Sequence, residues 1–146
     1  MERRNRLWRI LLFLNLVVPL AGGIVLFAAP GLVPAMVGIP LAPGQRLLVY
    51  LIGGGEFAFA LLCLLGLRSR SDDLRRTVAL VAITFHGTAG IATLLAWAEG
   101  TDAAVLVNTA ARVVMVMLFA LLGLPPLAQR LTVRHPNSRR LARCPG

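Results

Sequence analysis

The chain contains no lysine, few acidic residues and few aromatic residues. Its 146 residues include 15 Lys+Arg, all of them arginine, and 6 Asp+Glu, so that only 14% are charged, and 6% are aromatic. An average soluble chain is about a quarter charged and about half apolar, whereas this chain is 58% hydrophobic with a mean hydropathy of +0.79. The composition excludes an ordinary soluble domain, and it excludes disorder because disordered segments are poor in apolar residues.

Residues for several common chemistries are also scarce. The two cysteines, Cys63 in an apolar run and Cys144 near the C-terminus, do not make a disulfide framework. A zinc site needs more histidine or cysteine than the chain offers, and the sequence has no P-loop and no dinucleotide fingerprint. We therefore predict no metal site.

Four apolar runs dominate the sequence. They cover residues 7–29, 47–67, 77–98 and 103–124. Each has the length of a membrane-spanning helix, which needs about 20 mostly apolar residues, whereas strands are shorter. The first run exceeds the roughly 7–15 apolar residues of a signal peptide, so we interpret it as a transmembrane helix. The sequence predicts an all-α polytopic membrane protein, an antiparallel bundle of four transmembrane helices within residues 1–129.

Arginine placement predicts the orientation of this bundle. Three clusters precede the first run, join the second run to the third, and follow the fourth: Arg3, Arg4, Arg6 and Arg9; Arg68, Arg70, Arg75 and Arg76; Arg130, Arg134, Arg139, Arg140 and Arg143. Cytoplasmic loops carry the excess of arginine and lysine. We therefore expect a multi-pass protein of the cell (inner or plasma) membrane, with both termini and a basic tail at 130–146 in the cytoplasm. Because the clusters flank apolar runs, we expect anionic lipid headgroups as their partners, and no nucleic acid.

The connection at residues 30–46 is rich in proline yet otherwise apolar. A solvated loop would be more polar, so we expect this segment to lie in the outer membrane interface with one short helical turn. Three interpretations stay open for it: a cap on the bundle, a lipid-facing entrance, or a plain connector packed on the bundle.

Ionisable residues occur at membrane depth on the last three predicted helices. Glu56 and Arg112 each lie about nine residues, or roughly 13 Å, below the outer ends of their helices, and His86 lies near the middle of the third. Such residues are costly in a membrane, usually paired, and candidates for a functional site. Because the planar fork of arginine matches a carboxylate, we predict a Glu56–Arg112 ion pair with His86 close by. Asn108 lies one turn before Arg112 on the same helix face.

Small and hydroxyl residues surround this layer. They are Gly53, Gly54 and Gly55 before Glu56, and Thr84 and Gly90 on either side of His86. Small residues let membrane helices approach closely, which we favour over local unwinding or a cavity. The layer has two interpretations, a structural clamp that fixes the helix register or a binding site. The titratable His86 favours the binding site, because a clamp does not need it.

The stretch GGGEFAFALLCLLGLR, at residues 53–68, resembles the second helix of the DoxX-like superfamily of small four-helix membrane proteins. Glu56, Gly66 and Arg68 fall on the family pattern. The segment ITFHGTAGIATLLAWAEG is similar to the family's third helix, which often carries a histidine, and AAPGLVPAMVGIPLAPGQR is similar to a proline-bearing loop in an uncharacterised branch. The resemblance covers residues 7–125 and implies a compact antiparallel bundle. It also implies a link to membrane redox complexes and quinone-dependent sulfur oxidation, with which family members have been associated.

Three functions stay open on the sequence. The first is an accessory subunit of a larger membrane assembly, for instance a redox complex, formed with another membrane protein or with further copies of the chain. The second is a binder or enzyme that takes a quinone or another lipid-soluble molecule into the layer of Glu56, His86 and Arg112. The third is a small transporter or proton pathway, although the sequence has no inverted repeat. The chain lacks a full catalytic set, so an enzyme is the less favoured class.

The arginine distribution predicts the side of the membrane on which Cys144 lies. A membrane-impermeant maleimide should leave Cys144 unlabelled in intact cells and should label it after permeabilisation, because the C-terminus is expected in the cytoplasm. A Cys144→Ser/Asp102→Cys variant places the thiol between the third and fourth runs and should be labelled in intact cells. Labelling of Cys144 from outside intact cells would contradict the predicted topology.

Overall fold

The computed structural model describes residues 2–124. Within this range lie the helices α1 (Glu2–Ala28), α2 (Leu32–Met36), α3 (Arg46–Arg68), α4 (Asp72–Ala98) and α5 (Val105–Gly123), with a 3-10 turn at Pro43–Gln45. Of these described helices, α1, α3, α4 and α5 are long and apolar enough to cross a membrane. The predicted all-α architecture of four membrane-spanning helices is confirmed. The basic tail at 130–146, with Cys144, lies outside the described residues.

Helices α1 and α4 begin before the apolar runs that identified them. Helix α4 starts at Asp72, because the Ser71 hydroxyl accepts a hydrogen bond from the Leu74 amide at 3.4 Å. Such a cap, followed by the acidic Asp72 and Asp73, satisfies the free amides and the positive dipole at a helix N-terminus. Hydropathy therefore marks the part of a helix that suits the membrane, whereas polar caps decide where the helix begins.

The connection at residues 30–46 contains the predicted helical turn. Helix α2 is five residues long, and the chain then reverses through Gly38, whose φ of +73° favours glycine. The segment from Val37 to Pro40 lines one groove together with the α4–α5 turn, from Glu99 to Asp102. The connection thus lies beside the α4–α5 turn, and its three interpretations stay open.

The long helices pack as two pairs. Helix α1 packs mainly along α3, and α4 packs mainly along α5, with fewer contacts between α1 and α5 and between α3 and α4. The apolar core that joins the pairs lies toward the arginine-rich helix ends and contains Trp8, Leu11, Leu12, Phe59, Cys63, Val78, Ala79, Ala82 and Phe119. In this core Trp8 meets Phe119 edge to face, with ring centroids 5.7 Å apart. Burial of these aromatic rings stabilises the contact between α1 and α5.

Arg75 ties three helices together beside this core. Its guanidinium donates to Asn5 Oδ1 at 2.8 Å and to the Leu122 carbonyl at 2.7 Å, and it lies over the Trp8 ring at 4.9 Å. The Leu122 carbonyl is near the end of α5, where carbonyl groups lack partners within the helix. One cation from α4 thus joins both α1 and α5.

Only some of the glycines lie at close helix contacts. A Cβ at Gly53 would lie 2.9 Å from the Phe27 ring, whereas one at Gly54 or Gly55 would meet nothing within 4 Å. The close-packing interpretation is therefore right for Gly53 and wrong for its two neighbours. At Gly123 a Cβ would overlap the Cβ of Ala79 and lie 2.9 Å from Trp8.

Gly123→Ala should destabilise the bundle, because the added methyl group has no space at the junction of α1, α4 and α5. Overpacking a filled core generally costs about 1–3 kcal/mol, which should lower the midpoint of thermal unfolding in detergent. Gly87→Ala is the matched control, since a methyl group there meets nothing within 4 Å. A Gly123→Ala/Ala79→Gly variant should recover part of the loss. Equal midpoints for Gly123→Ala and Gly87→Ala would show that the contact is not limiting.

Candidate functional site

Helices α3 and α5 each turn one regular stripe of residues toward the bundle interior. In α3 the residues at 49, 53, 60 and 63 are buried, and Glu56 continues their alternating spacing of four and three. In α5 the residues at 105, 109, 119 and 123 are buried, and Arg112 falls on the same kind of stripe. This spacing defines one face of a helix in a bundle. Glu56 and Arg112 therefore face inward, although both side chains are only half-buried.

Helices α1 and α4 each place a fully buried polar side chain on their inward stripes. Asn15 is 4% exposed and His86 is 5% exposed. Together with Glu56 and Arg112 they form a polar centre to which each of the four long helices in residues 2–124 contributes one side chain. An unsatisfied polar group in an apolar interior costs several kcal/mol, so these side chains require partners.

A chain of hydrogen bonds runs through the polar centre. Asn15 Nδ2 donates to the Leu11 carbonyl at 2.9 Å, and Asn15 Oδ1 lies 3.0 Å from His86 Nε2. His86 Nδ1 lies 3.1 Å from Arg112 Nη1, and Arg112 Nε donates to Asn108 Oδ1 at 3.3 Å. These contacts link α1, α4 and α5 across the bundle.

The partners of His86 define its protonation. A guanidinium can only donate, so Nδ1 of the imidazole accepts from Arg112. Nε2 then carries the proton and donates to Asn15 Oδ1, which is free to accept because the amide nitrogen of Asn15 is directed at Leu11. His86 is therefore a neutral imidazole, and donation runs in one direction from Arg112 to the α1 backbone.

Aromatic rings surround the imidazole. Phe59 meets His86 edge to face with centroids 5.4 Å apart, and Phe119 stacks on it at 5.9 Å. Phe85 lies under the Arg112 guanidinium at 5.5 Å, which is a cation–π contact. The rings hold the imidazole in place and keep its surroundings apolar, which strengthens the hydrogen bonds that it makes.

The predicted Glu56–Arg112 ion pair is not formed within the described residues. The polar side-chain partners of Arg112 there are His86 and Asn108, although Arg112 is near enough to Glu56 for a coulombic interaction. The reason lies in the arrangement of the helices. Helices α3 and α5 occupy opposite corners of the bundle, whereas α4 packs along α5, so the guanidinium meets His86 first.

Asn15 is the member of the polar centre that is absent from the residues predicted from sequence. It is the single polar residue between positions 10 and 28, and that isolation is the signal that could have identified it. An uncharged amide gives a weaker signal than an ionisable group, because its burial costs less. Its importance follows from the tertiary contact with His86, which is 71 positions away in the sequence.

The other predicted residues divide between the centre and its surroundings. Gly90 lies beside the polar centre, since a Cβ there would be 3.5 Å from the Cβ of Arg112. Asn108 reaches Arg112 but is exposed on the outside of the bundle, and Thr84 is exposed on α4. Toward the end of the bundle opposite the arginine-rich ends, Thr93 and Thr109 share a hydrogen bond of 2.6 Å that joins α4 to α5.

Residues 2–124 offer no cluster of metal ligands at the polar centre, and the two grooves described below lie away from it. Residues 2–124 contain no group of three or more His, Cys, Asp or Glu side chains that could hold a metal ion. Two surface grooves in this part of the chain lie elsewhere, one at the outer loops and one at the arginine-rich ends of α1 and α3. The chemistry that the centre can offer is hydrogen bonding and charge.

Asn15→Leu should destabilise the protein, because it leaves the buried Nε2–H of His86 without an acceptor. A buried donor left unsatisfied costs about 1–3 kcal/mol, so the unfolding midpoint in detergent should fall clearly. Asn108→Leu removes the second side-chain amide of this hydrogen-bond chain, at an exposed position, and should change the midpoint little. If both variants lose the same stability, the buried hydrogen bond is not the cause.

Comparisons with known proteins do not identify the chain. It matches no family model, and no curated protein and no solved structure is similar to it. The resemblance to the DoxX-like superfamily therefore stays a prediction that rests on the residues quoted for it.

Proposed function

We propose that this multi-pass membrane protein binds a small lipid-soluble molecule at its polar centre. One observation carries the proposal: the hydrogen-bond chain from Arg112 through His86 to Asn15 is complete without Glu56. A clamp that only holds the helices together does not need a further inward-facing carboxyl group. Glu56 and the remaining N–H groups of Arg112 are therefore available to a ligand.

The polar groups define the chemistry of that ligand. A guanidinium has five N–H donors, and the contacts with His86 and Asn108 use two of them. The others suit a carbonyl oxygen, while the carboxyl oxygens of Glu56 accept from a hydroxyl group. A quinone or quinol combines such groups with an apolar ring, and the phenylalanine rings around His86 suit it. This support favours the second of the functions predicted from sequence.

Helix α5 favours an accessory subunit as the second candidate. Its outer face exposes Val107, Val113, Met117 and Leu121, and among them the amide of Asn108 is exposed at membrane depth. An amide facing lipid tails is costly, so a helix of another membrane protein or of a second copy would satisfy it. Purification in mild detergent without a stoichiometric partner and without self-association would contradict this candidate.

Orientation and membrane identity belong to the same proposal. We place the arginine-rich ends of α1, α3 and α4 in the cytoplasm and the bundle in the cell membrane, on the arginine distribution alone. With this orientation the polar centre lies on the outer side of the apolar core. A ligand would then enter from the lipid or from the outer surface, since the core fills the arginine-rich half.

Glu56→Gln should weaken ligand binding while leaving the fold intact, because Glu56 is outside the hydrogen-bond chain. A hydrogen bond to a charged group contributes about 1.5–3 kcal/mol, so affinity should fall roughly ten- to hundredfold. The measurement is the thermal shift of the purified protein with a short-chain benzoquinone and its quinol, together with mass spectrometry of co-purified small molecules. A ligand that prefers the native state raises the unfolding midpoint with its concentration.

Glu99→Gln is the matched control, because it removes a carboxylate from the outer turn. This variant should bind like the unaltered protein. If the unaltered protein shows no shift and carries no small molecule, the proposed binding is wrong. If Glu56→Gln unfolds the protein, Glu56 belongs to a structural clamp and the observation that carries the proposal fails.

A further inference from the structure

A groove at the arginine-rich ends of α1 and α3 combines positive charge with an apolar floor. Three arginines line it, Arg6 and Arg9 from α1 and Arg68 from the last turn of α3. Its apolar residues include Ile10, Phe13 and Leu14, which follow the arginines along α1. The groove is separate from the polar centre, with which it shares no residue.

The arginines of this groove are available to a ligand. All three side chains are exposed, and none makes a hydrogen bond to another described residue. Arg75, by contrast, is engaged with Asn5 and Leu122. The carboxylate of Glu2 also lines the groove, one turn before Arg6. Because three arginines face this one carboxylate, the groove keeps a net positive charge.

The spacing along α1 orders the charged and apolar parts by depth. Positions 6, 9, 10, 13 and 14 lie on one helix face. With a rise of about 1.5 Å per residue, Phe13 lies roughly 6 Å deeper in the membrane than Arg9. Arg68 ends a membrane-spanning helix, so the three guanidinium groups lie near the headgroup level. The groove therefore has its charge at the interface and its apolar floor in the hydrocarbon.

The floor distinguishes a lipid from a free anion. Ile10 is 49% exposed, Phe13 is 57% exposed and Leu14 is 48% exposed. These side chains offer nothing to inorganic phosphate, but they match an acyl chain that continues downward from a phosphate group. Arginine clusters at such a boundary attract anionic lipids, with about 1 kcal/mol for each arginine near the surface.

We propose that this groove is a binding site for an anionic phospholipid of the leaflet on the arginine-rich side. The phosphate lies between Arg9 and Arg68, with Arg6 nearby, and the planar guanidinium groups donate to its oxygens. One acyl chain runs along Ile10, Phe13 and Leu14. The bound lipid would bridge α1 and α3 at the surface and would stay in place whatever occupies the polar centre.

Native mass spectrometry of the full chain, released from detergent with added phosphatidylglycerol or phosphatidylcholine, tests the proposal. The unaltered protein should retain phosphatidylglycerol in preference to phosphatidylcholine. An Arg9→Gln/Arg68→Gln variant should lose affinity for phosphatidylglycerol by roughly thirtyfold, which follows from about 1 kcal/mol per arginine. Both side chains are exposed, so the variant should unfold at the same temperature as the unaltered protein.

An Arg70→Gln/Arg76→Gln variant is the matched control, because it removes the same charge from the same side of the bundle outside the groove. It should retain phosphatidylglycerol. Equal loss in both variants would overturn the proposal in favour of unspecific attraction. Displacement of the lipid by millimolar inorganic phosphate would also overturn it, because the site would then recognise the anion alone.

Discussion

The hydrogen bond between Asn15 and His86 is the contact on which the arrangement of the bundle depends. Its two residues belong to different helix pairs, α1 with α3 and α4 with α5, and α1 and α4 meet again where Arg75 contacts Asn5 and Trp8 near the arginine-rich ends. Within an apolar interior neither group can turn to water, so separation of the pairs would strand a donor and an acceptor. Apolar contacts alone specify the arrangement of helices poorly in a membrane, because lipid tails are as apolar as the side chains. The polar contact therefore specifies the register in which the pairs meet.

Two kinds of packing meet at this contact. Toward the arginine-rich ends, Trp8, Phe119 and Val78 fill the space between the pairs. There Arg75 of α4 also donates hydrogen bonds to α1 and α5. Toward the opposite end, the two helices of each pair are held together by small residues and hydroxyl groups, such as Gly53 against α1 and Thr93 with Thr109. Glu56 and Arg112 are half-buried, although they lie on inward stripes whose members are mostly buried, and this change in packing is the reason. The closely packed apolar half of the bundle stabilises the fold. The other half can therefore contain polar groups with only a moderate loss of stability.

Much of the architecture could be predicted from the sequence, because the membrane acts on each segment separately. Helix length and apolar composition identify α1, α3, α4 and α5 one at a time. The depth of His86 and Arg112 also follows from residue counting, and their contact agrees with it. The choice of partner could not be predicted, since it depends on which helices are neighbours. Residue counting places Glu56 and Arg112 at one depth, but it does not reveal that α3 and α5 occupy opposite corners.

Whether the polar centre is a structural clamp or a binding site depends on which of its polar groups are paired. A structural clamp requires that every buried donor has an acceptor. The hydrogen-bond chain from Arg112 to the Leu11 carbonyl meets this requirement when His86 is neutral. An additional carboxyl group in a fully hydrogen-bonded network lowers the stability of the fold, because burying it is unfavourable unless another group pairs with it. Glu56 is such a group: it lies on the inward stripe of α3 and makes no hydrogen bond to the residues described here. The balance of the centre is completed either by movement of Arg112 toward Glu56, at the expense of His86, or by a molecule that lies between them. Only the second keeps every hydrogen bond of the chain, and this is the support for the proposed ligand.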